Sequence, residues 1–192
     1  MEKFYGIKIL ITIFLLTSSS IIFSQTNIGF RYEPFYQNTS LISKGSNIFS
    51  TRYNGIYPIG LYFSITHEFS KNFGMSFRPG ILGTGDRSQY NGFELSIVGK
   101  YNFDEKDIYL LFGLNLHENL ATVSYSNINH PREGLFPLLF IGSGIKLSKV
   151  FSIEPQFYIP LKRHFGEVYH FTKDPINMNY MIKLSFGFEW EI

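Results

Sequence analysis

A strict alternation of apolar and polar residues is the feature of this sequence that most constrains its fold. It is clearest in the last segment, "KLSFGFEWEI", where the large apolar residues are Leu184, Phe186, Phe188, Trp190 and Ile192. Ser185, Gly187, Glu189 and Glu191 lie between them. A period of two predicts a β-strand whose two faces meet different environments.

The same alternation recurs in eight segments after residue 25. We place these strands at about 28–36, 59–69, 73–81, 93–103, 108–117, 135–147, 151–161 and 180–192. Short polar connections (70–72, 104–107 and 148–150) alternate with long ones (37–58, 82–92, 118–133 and 162–179). This arrangement predicts an all-β fold, an eight-stranded antiparallel up-and-down transmembrane β-barrel, with its short turns and both chain ends on one side.

Composition decides which face of the strands lies inside. A water-soluble, lipocalin-like barrel would bury the apolar face. Here the polar face is rich in Gly and Ser, which suits the narrow interior of an eight-stranded barrel. Aromatic residues reach 18% and charged residues only 17% of the chain. Rings also concentrate near strand ends, as an interfacial girdle requires. We therefore predict that the apolar face meets lipid and that the last strand closes the ring by pairing with the first.

Eight charged residues lie on the small-residue face, which makes them an expected interior charge network: Arg31, Glu33, Arg78, Glu94, Lys100, Glu154, Lys183 and Glu189. Buried charges must be paired, because each unpaired buried charge costs several kcal/mol. Counting along the strands puts Glu94 and Lys183 at one level. It groups Arg31 and Glu33 with Arg78, and Lys100 with Glu154 and Glu189. We expect a self-neutralised plug rather than an open pore, which needs more strands.

The N-terminus has the three-part pattern of a secretory signal peptide. Lys3 and Lys8 precede an apolar run over 9–16, and small polar residues follow. We expect a signal peptide over 1–25, cleaved near Ser24 or Gln25 with Ser20 as the alternative, and a barrel domain over 26–192. The chain has no cysteine, which excludes a lipid-modified cysteine, disulfides and thiolate metal sites.

The terminal strand "YMIKLSFGFEWEI" resembles the closing strand of small outer-membrane β-barrels, the OmpA-like and OmpX-like porin-family proteins. In that family a glycine followed by alternating aromatic and apolar residues is the signal read by the barrel-assembly machinery. Gly187, Phe188, Trp190 and Ile192 match this pattern, although the family usually ends on an aromatic residue. The resemblance implies location in a Gram-negative outer membrane, among its lipids and lipopolysaccharide.

Enzymatic and metal-binding alternatives rest on few residues. A net charge of +2 without basic clusters argues against nucleic acid. His170 and Thr172, with Asp174, are the weak catalytic candidates for a lipid-A-modifying hydrolase. They lie in a predicted loop, and Thr replaces the serine expected there. His117, His130, His164 and His170 are expected to be solvated residues near the outer rim. They lack metal-ligand spacing, so no metal or cofactor is predicted.

These observations favour a non-enzymatic role in envelope integrity or in surface interaction through the outer loops, with an unknown ligand. A narrow passive channel is the other alternative. Basic residues of the outer loops are candidates for contact with lipopolysaccharide phosphates; they are the run "LKRH" (161–164) together with Arg132 and Lys44.

Overall fold

The structure is a computed structural model, and it describes residues 25–42, 49–83, 90–103, 107–120, 129–131, 134–169 and 173–192. The expected signal peptide therefore lies outside the described residues, apart from Gln25. Gln25 is the first residue of strand β1.

The described residues form twelve β-strands. They are β1 (Gln25–Tyr32), β2 (Phe35–Ile42), β3 (Phe49–Tyr57), β4 (Ile59–Glu68), β5 (Phe73–Gly83), β6 (Gly92–Asn102), β7 (Ile108–Asn119), β8 (Asn129–Pro131), β9 (Gly134–Lys146), β10 (Phe151–Pro160), β11 (His164–Tyr169) and β12 (Lys173–Glu191). Within these ranges no helix is long and apolar enough to cross a membrane.

Eight of the strands close into an antiparallel barrel in the order β1-β4-β5-β6-β7-β9-β10-β12. The ring closes where β12 pairs with β1, from Asn27 opposite Glu191 to Tyr32 opposite Phe186. The prediction of an eight-stranded antiparallel barrel closed by its last strand is confirmed.

The connections alternate in length around this barrel. Short links join β4 to β5, β6 to β7 and β9 to β10, at the same end as Gln25 and Ile192. We call this side the turn end. The connections from β1 to β4, β5 to β6, β7 to β9 and β10 to β12 are longer and lie at the opposite side, the loop end.

The outward face of the barrel is apolar. Phe112 of β7 is 54% exposed, and Ile141, directly opposite on β9, is 63% exposed. Further exposed members are Leu61, Phe77, Ile81, Phe93, Ile97, Leu110, Leu139, Ile159, Ile182 and Phe188. At the turn end the rings pair, Phe73 with Tyr101 at 5.0 Å and Phe151 with Phe188 at 4.8 Å between centroids. A closed backbone ladder with this surface is suited to hydrocarbon.

The inward face carries more apolar bulk than the small-residue pattern predicts. Phe136, Leu138 and Phe140 of β9 are all buried, which explains why this segment alternates poorly in the sequence. They belong to an apolar cluster with Phe35, Leu82, Tyr90, Val98, Tyr109, Leu111, Tyr158, Met178 and Met181. The interior is therefore filled by large apolar groups as well as by glycines, serines and charges.

Strands extend the wall beyond the barrel at the loop end, where long loops were predicted. β2 pairs with β3 and with the first half of β12, and β11 pairs with β12 and β8. The prediction that 37–58 and 162–179 are loops is thus wrong. Residues such as Phe35, Tyr36 and Thr39 favour extended backbone, but the stretch lacks the regular alternation that marks a lipid-facing strand.

Candidate functional site

The enclosed polar interior of the barrel is the candidate functional site. Its charged residues form three groups along the barrel. We call them the Glu94 cluster (Glu33, Tyr62, Glu94, His117 and Lys183), the Glu154 cluster (Arg31, Arg78, Tyr109, Glu154 and Glu189) and the rim pair (Glu68 and Lys100). Glu33 lies in the link between β1 and β2. The other members occupy inward positions of the barrel strands, which is why residues distant in sequence meet there.

In the Glu94 cluster one lysine serves two carboxylates. Lys183, fully buried, contacts the Glu94 carboxylate directly, and its Nζ lies 3.9 Å from the Glu33 carboxylate. The Tyr62 hydroxyl donates to Glu94 and accepts from Lys183 at 2.9 Å. The Lys183 ammonium also lies over the Tyr158 ring, 4.8 Å from its centroid, a favourable cation–π position.

His117 belongs to this buried cluster. Its Nδ1 lies 3.1 Å from Glu94 Oε1, and its ring stacks on Tyr90 with centroids 3.6 Å apart. The side chain is 0% exposed. The expectation that His117 is a solvated rim histidine is therefore wrong; the inward position on β7 is the sequence signal that identifies it. No group of three or more potential metal ligands occurs among the described residues.

The Glu154 cluster is centred on one carboxylate. Glu154 accepts from Arg31 Nη1 at 2.8 Å and from Arg78 Nη1 at 2.8 Å. The Tyr109 hydroxyl donates to it at 2.7 Å, and Gln156 Nε2 at 2.9 Å. Charge-assisted hydrogen bonds of this kind are the strong ones, and four donors satisfy both oxygens of a carboxylate that is fully buried.

Glu189 balances the second charge of Arg31. Arg31 Nη2 donates to Glu189 Oε1 at 2.8 Å. The hydroxyls of Ser64 and Thr66 on β4 donate to the same oxygen, at 3.1 and 3.0 Å. Two arginines and two glutamates thus neutralise one another within this cluster, as burial in a low dielectric requires.

The rim pair lies nearest the turn end. Lys100 Nζ is 2.7 Å from Glu68 Oε1, and Asn102 Nδ2 donates to the other oxygen at 3.1 Å. Both residues line a cavity of about 860 Å³ that opens at the turn end, together with Asp107, Lys146 and others. Glu68 was not among the predicted network residues, although it occupies an inward position of β4.

All eight predicted network residues lie in the interior, but several partners differ from the predicted levels. Glu94 and Lys183 meet as expected. Arg31 binds Glu154 and Glu189 instead of sharing a level with Glu33. Lys100 pairs with Glu68. Strands in a closed barrel are tilted and staggered, so counting residues from strand ends does not give true heights.

The predicted assembly-signal residues lie in β12. Phe188, Trp190 and Ile192 point outward and are 45%, 47% and 74% exposed. Gly187 points inward, where a Cβ would lie 2.7 Å from Arg31 Nη1 and 2.8 Å from Ser152 Oγ. A side chain at this position would therefore displace the Arg31 guanidinium from its two carboxylates.

The candidate catalytic residues His170 and Thr172 lie outside the described residues, as do Arg132 and Lys44. His164 is the first residue of β11, and His130 is part of β8. Leu161, Lys162 and Arg163 are exposed in the link between β10 and β11.

Comparisons with known proteins show where this fold occurs. The sequence matches no family model and no curated protein. Among solved structures, the outer-membrane protein AlkL in lipid bilayers is similar with a TM-score of 0.50 at 12% identity, covering 88% of this chain and 90% of that one. The N-terminal β-barrel domain of Pseudomonas aeruginosa OprF has a TM-score of 0.46 at 13% identity, with 87% and 99% covered. The outer-membrane protein OprG from Pseudomonas aeruginosa has 0.48 at 10%, with 86% and 96% covered.

The likeness to AlkL concerns the fold alone. The apolar outer surface of the barrel is a second, independent observation that supports a membrane location. A closed ring without free edges, an apolar outer belt and an interior of paired charges suit a barrel that spans a bilayer. The chain is therefore an eight-stranded antiparallel β-barrel of the outer-membrane type.

Proposed function

We propose that the protein is an integral outer-membrane β-barrel with a sealed interior, and that it acts without catalysis by holding its loop-end strands at the cell surface. In this role the barrel is the anchor, and envelope integrity or surface contact depends on what lies at the loop end. The proposal uses the barrel orientation that places short turns in the periplasm.

The filled interior is the observation that supports a sealed barrel. The side chains of Lys183, Glu154 and His117 are 0% exposed, and Arg31 and Arg78 are each 3% exposed. Lys183, Glu154, Arg31 and Arg78 each have a partner of opposite sign, and His117 forms a hydrogen bond with Glu94. Eight strands leave an interior just wide enough for side chains, and here large side chains and ion pairs occupy it.

The extended wall at the loop end supports surface contact as the role. Strands β2, β3, β8 and β11, with the first half of β12, continue the sheet past the barrel. Exposed Lys162 and Arg163 lie at the same end. Arginine and lysine attract phosphate groups such as those of lipopolysaccharide, so we propose the lipopolysaccharide layer as the first partner of this surface.

The cavity at the turn end is the one observation that favours a narrow passive channel. It gives water access to Lys146 and the rim pair from the periplasmic side. The cavity ends at the Glu154 cluster, where Tyr109 and Glu189 form part of its lining. A channel would need a path around Arg31, Arg78 and Glu154.

Conductance separates the sealed barrel from the channel. Purified barrel refolded into planar bilayers should give no discrete current steps in salt solution, because the ion pairs and apolar cluster leave no continuous water path. A general porin reconstituted in the same lipid serves as the positive control. Reproducible unitary steps at low voltage, scaling with barrel concentration, would instead support the channel and contradict the sealed interior.

A further inference from the structure

The backbone ladder of the barrel wall is broken at two places. Six of the eight junctions between described barrel strands pair without a gap, including the eleven consecutive pairs between β6 and β7. The junctions β4–β5 and β9–β10 each skip two consecutive pairs. Both gaps lie within strands that span the apolar belt.

A proline accounts for the gap between β4 and β5. The pairs Tyr62–Gly80 and Ile65–Phe77 flank the gap, and their register puts Phe63 opposite Pro79. Proline has no amide hydrogen and cannot donate to the strand opposite. The Phe63 carbonyl consequently loses its ladder bond in the apolar part of the wall, where no water replaces it.

The gap between β9 and β10 has the same cause. Ile153 pairs with Ile145 and Gln156 with Gly142, so Pro155 lies opposite Ser143. Here too the missing amide hydrogen removes one cross-strand bond. The two prolines follow the two ion-paired residues Arg78 and Glu154 directly in sequence.

The two broken junctions divide the barrel equally. Going round the ring, β5, β6, β7 and β9 lie on one side of the gaps, and β10, β12, β1 and β4 on the other. We call these the β6 half and the β12 half. Each half is a four-stranded sheet with unbroken internal junctions.

Ion pairs in the interior connect the two halves. Arg78 of the β6 half binds Glu154 of the β12 half at 2.8 Å. Glu94 of the β6 half binds Lys183 of the β12 half. At the turn end Lys100 and Glu68 join the halves at 2.7 Å. The Arg31–Glu189 bond, by contrast, stays within the β12 half.

The wall is also thin at the first gap. A groove of about 350 Å³ opens on the outside at β4–β5, with the apolar residues Phe30, Leu61, Phe63, Pro79, Gly80 and Ile81 at its sides. The inward residues Arg31 and Tyr62 form part of the lining.

We propose that the barrel opens as two rigid four-stranded halves, which part together along the Pro79 and Pro155 junctions and are held closed by the interior ion pairs. A closed ring cannot widen at one junction without strain at the opposite one. Because the two broken junctions lie on opposite sides of the ring, opening both together has the lowest free-energy cost. The inference concerns the motion of the wall and does not depend on the cellular role proposed above.

Amide hydrogen exchange of the whole barrel in lipid nanodiscs tests this motion, since exchange reports local opening. Amides of Ile65 and Phe77 at the first gap, and of Ile145 and Ile153 at the second, should exchange roughly fivefold faster than the amide of Ile97 in the unbroken β6–β7 ladder. That ratio corresponds to the loss of about one hydrogen bond. Equal protection at all of these positions would overturn the proposal.

Pro79→Ala distinguishes concerted opening from local fraying. The substitution supplies the missing amide hydrogen opposite Phe63, and exchange should slow roughly fivefold at Ile65. The proposal further requires slowing at Ile145, on the far side of the barrel, because the halves part together. Slowing at Ile65 with unchanged exchange at Ile145 would show independent fraying and refute the concerted motion.

A matched pair of interior variants tests the role of the ion pairs. Arg78→Met breaks a bond between the halves, while Glu154 keeps Arg31 and Tyr109 as partners, so exchange at both gaps should rise about tenfold. Glu189→Gln breaks a bond within the β12 half and should leave both gaps unchanged. Equal effects of the two variants would contradict the proposal. Should Arg78→Met not fold, the Pro79→Ala comparison decides alone.

Discussion

Replacing Lys183 with methionine should destabilise the folded barrel by about 3–5 kcal/mol, since it leaves an uncompensated buried charge. Among the described residues, Lys183 is the one lysine or arginine paired with Glu94 and Glu33. Methionine keeps most of the side-chain volume, so the loss measures charge rather than packing. Urea-induced unfolding of the barrel in lipid vesicles, followed through the fluorescence of Trp190, gives the free energy.

The double variant Lys183→Met with Glu94→Gln is the control. It removes both charges of the contact and should recover a large part of the loss, because neutral groups need no counter-ion. If Lys183→Met unfolds at the same urea concentration as the parent barrel, the contact between Lys183 and Glu94 does not stabilise the fold.

Glu154→Gln should have an effect of similar size, roughly 3 kcal/mol or more. The substitution keeps the shape of the side chain but removes the charge that Arg31 and Arg78 share. Arg31 retains Glu189 as a partner. Arg78 would retain the Ser76 hydroxyl, at 3.1 Å from its Nε, which does not neutralise a guanidinium. Heat-dependent mobility on SDS gels, together with urea unfolding, reports the loss of folded barrel.

A double variant that removes both charges of the Arg78–Glu154 pair is the control for Glu154→Gln. Adding Arg78→Gln to Glu154→Gln restores neutrality of the cluster and should raise the unfolding free energy above that of Glu154→Gln alone. Additive losses in the double variant would mean that the two side chains act independently, which the 2.8 Å contact between them does not allow.

The barrel itself could be predicted from sequence because its strands meet two sharply different environments. In β4 and β10 every second residue is buried and the others face outward. The sequence of these strands alternates between polar and apolar residues accordingly. β9 shows the limit. Phe136, Leu138 and Phe140 fill the interior although they look suited to lipid, because the barrel needs bulk there that no local pattern specifies.

Partner choice in the interior was less predictable than the identity of the buried residues. The pairing of Lys183 with Glu94 followed from matching levels, but that of Arg31 with Glu154 did not. Which strands face each other across the barrel depends on tilt and stagger, a property of the closed ring rather than of any strand. Strand β2 was missed for a related reason, since its less buried residues Tyr36, Asn38 and Ser40 are mostly polar and do not produce an apolar alternation.

The orientation of the strands is the central claim, and site-directed spin labelling tests it most directly. The chain has no cysteine, so each introduced cysteine carries the only label. Leu110 and Phe112 face outward at 42% and 54% exposure, whereas Leu111 and Asn115 on the same strand are fully buried. Collision with oxygen, which dissolves in hydrocarbon, is compared with collision with a water-soluble nickel chelate.

With the barrel in lipid vesicles, labels at 110 and 112 should collide strongly with oxygen and hardly at all with the chelate. Labels at 111 and 115 should be shielded from both, giving a period of two along β7. Strong chelate collisions at 110 and 112, with little access for oxygen, would mean that this face meets water and would contradict the account.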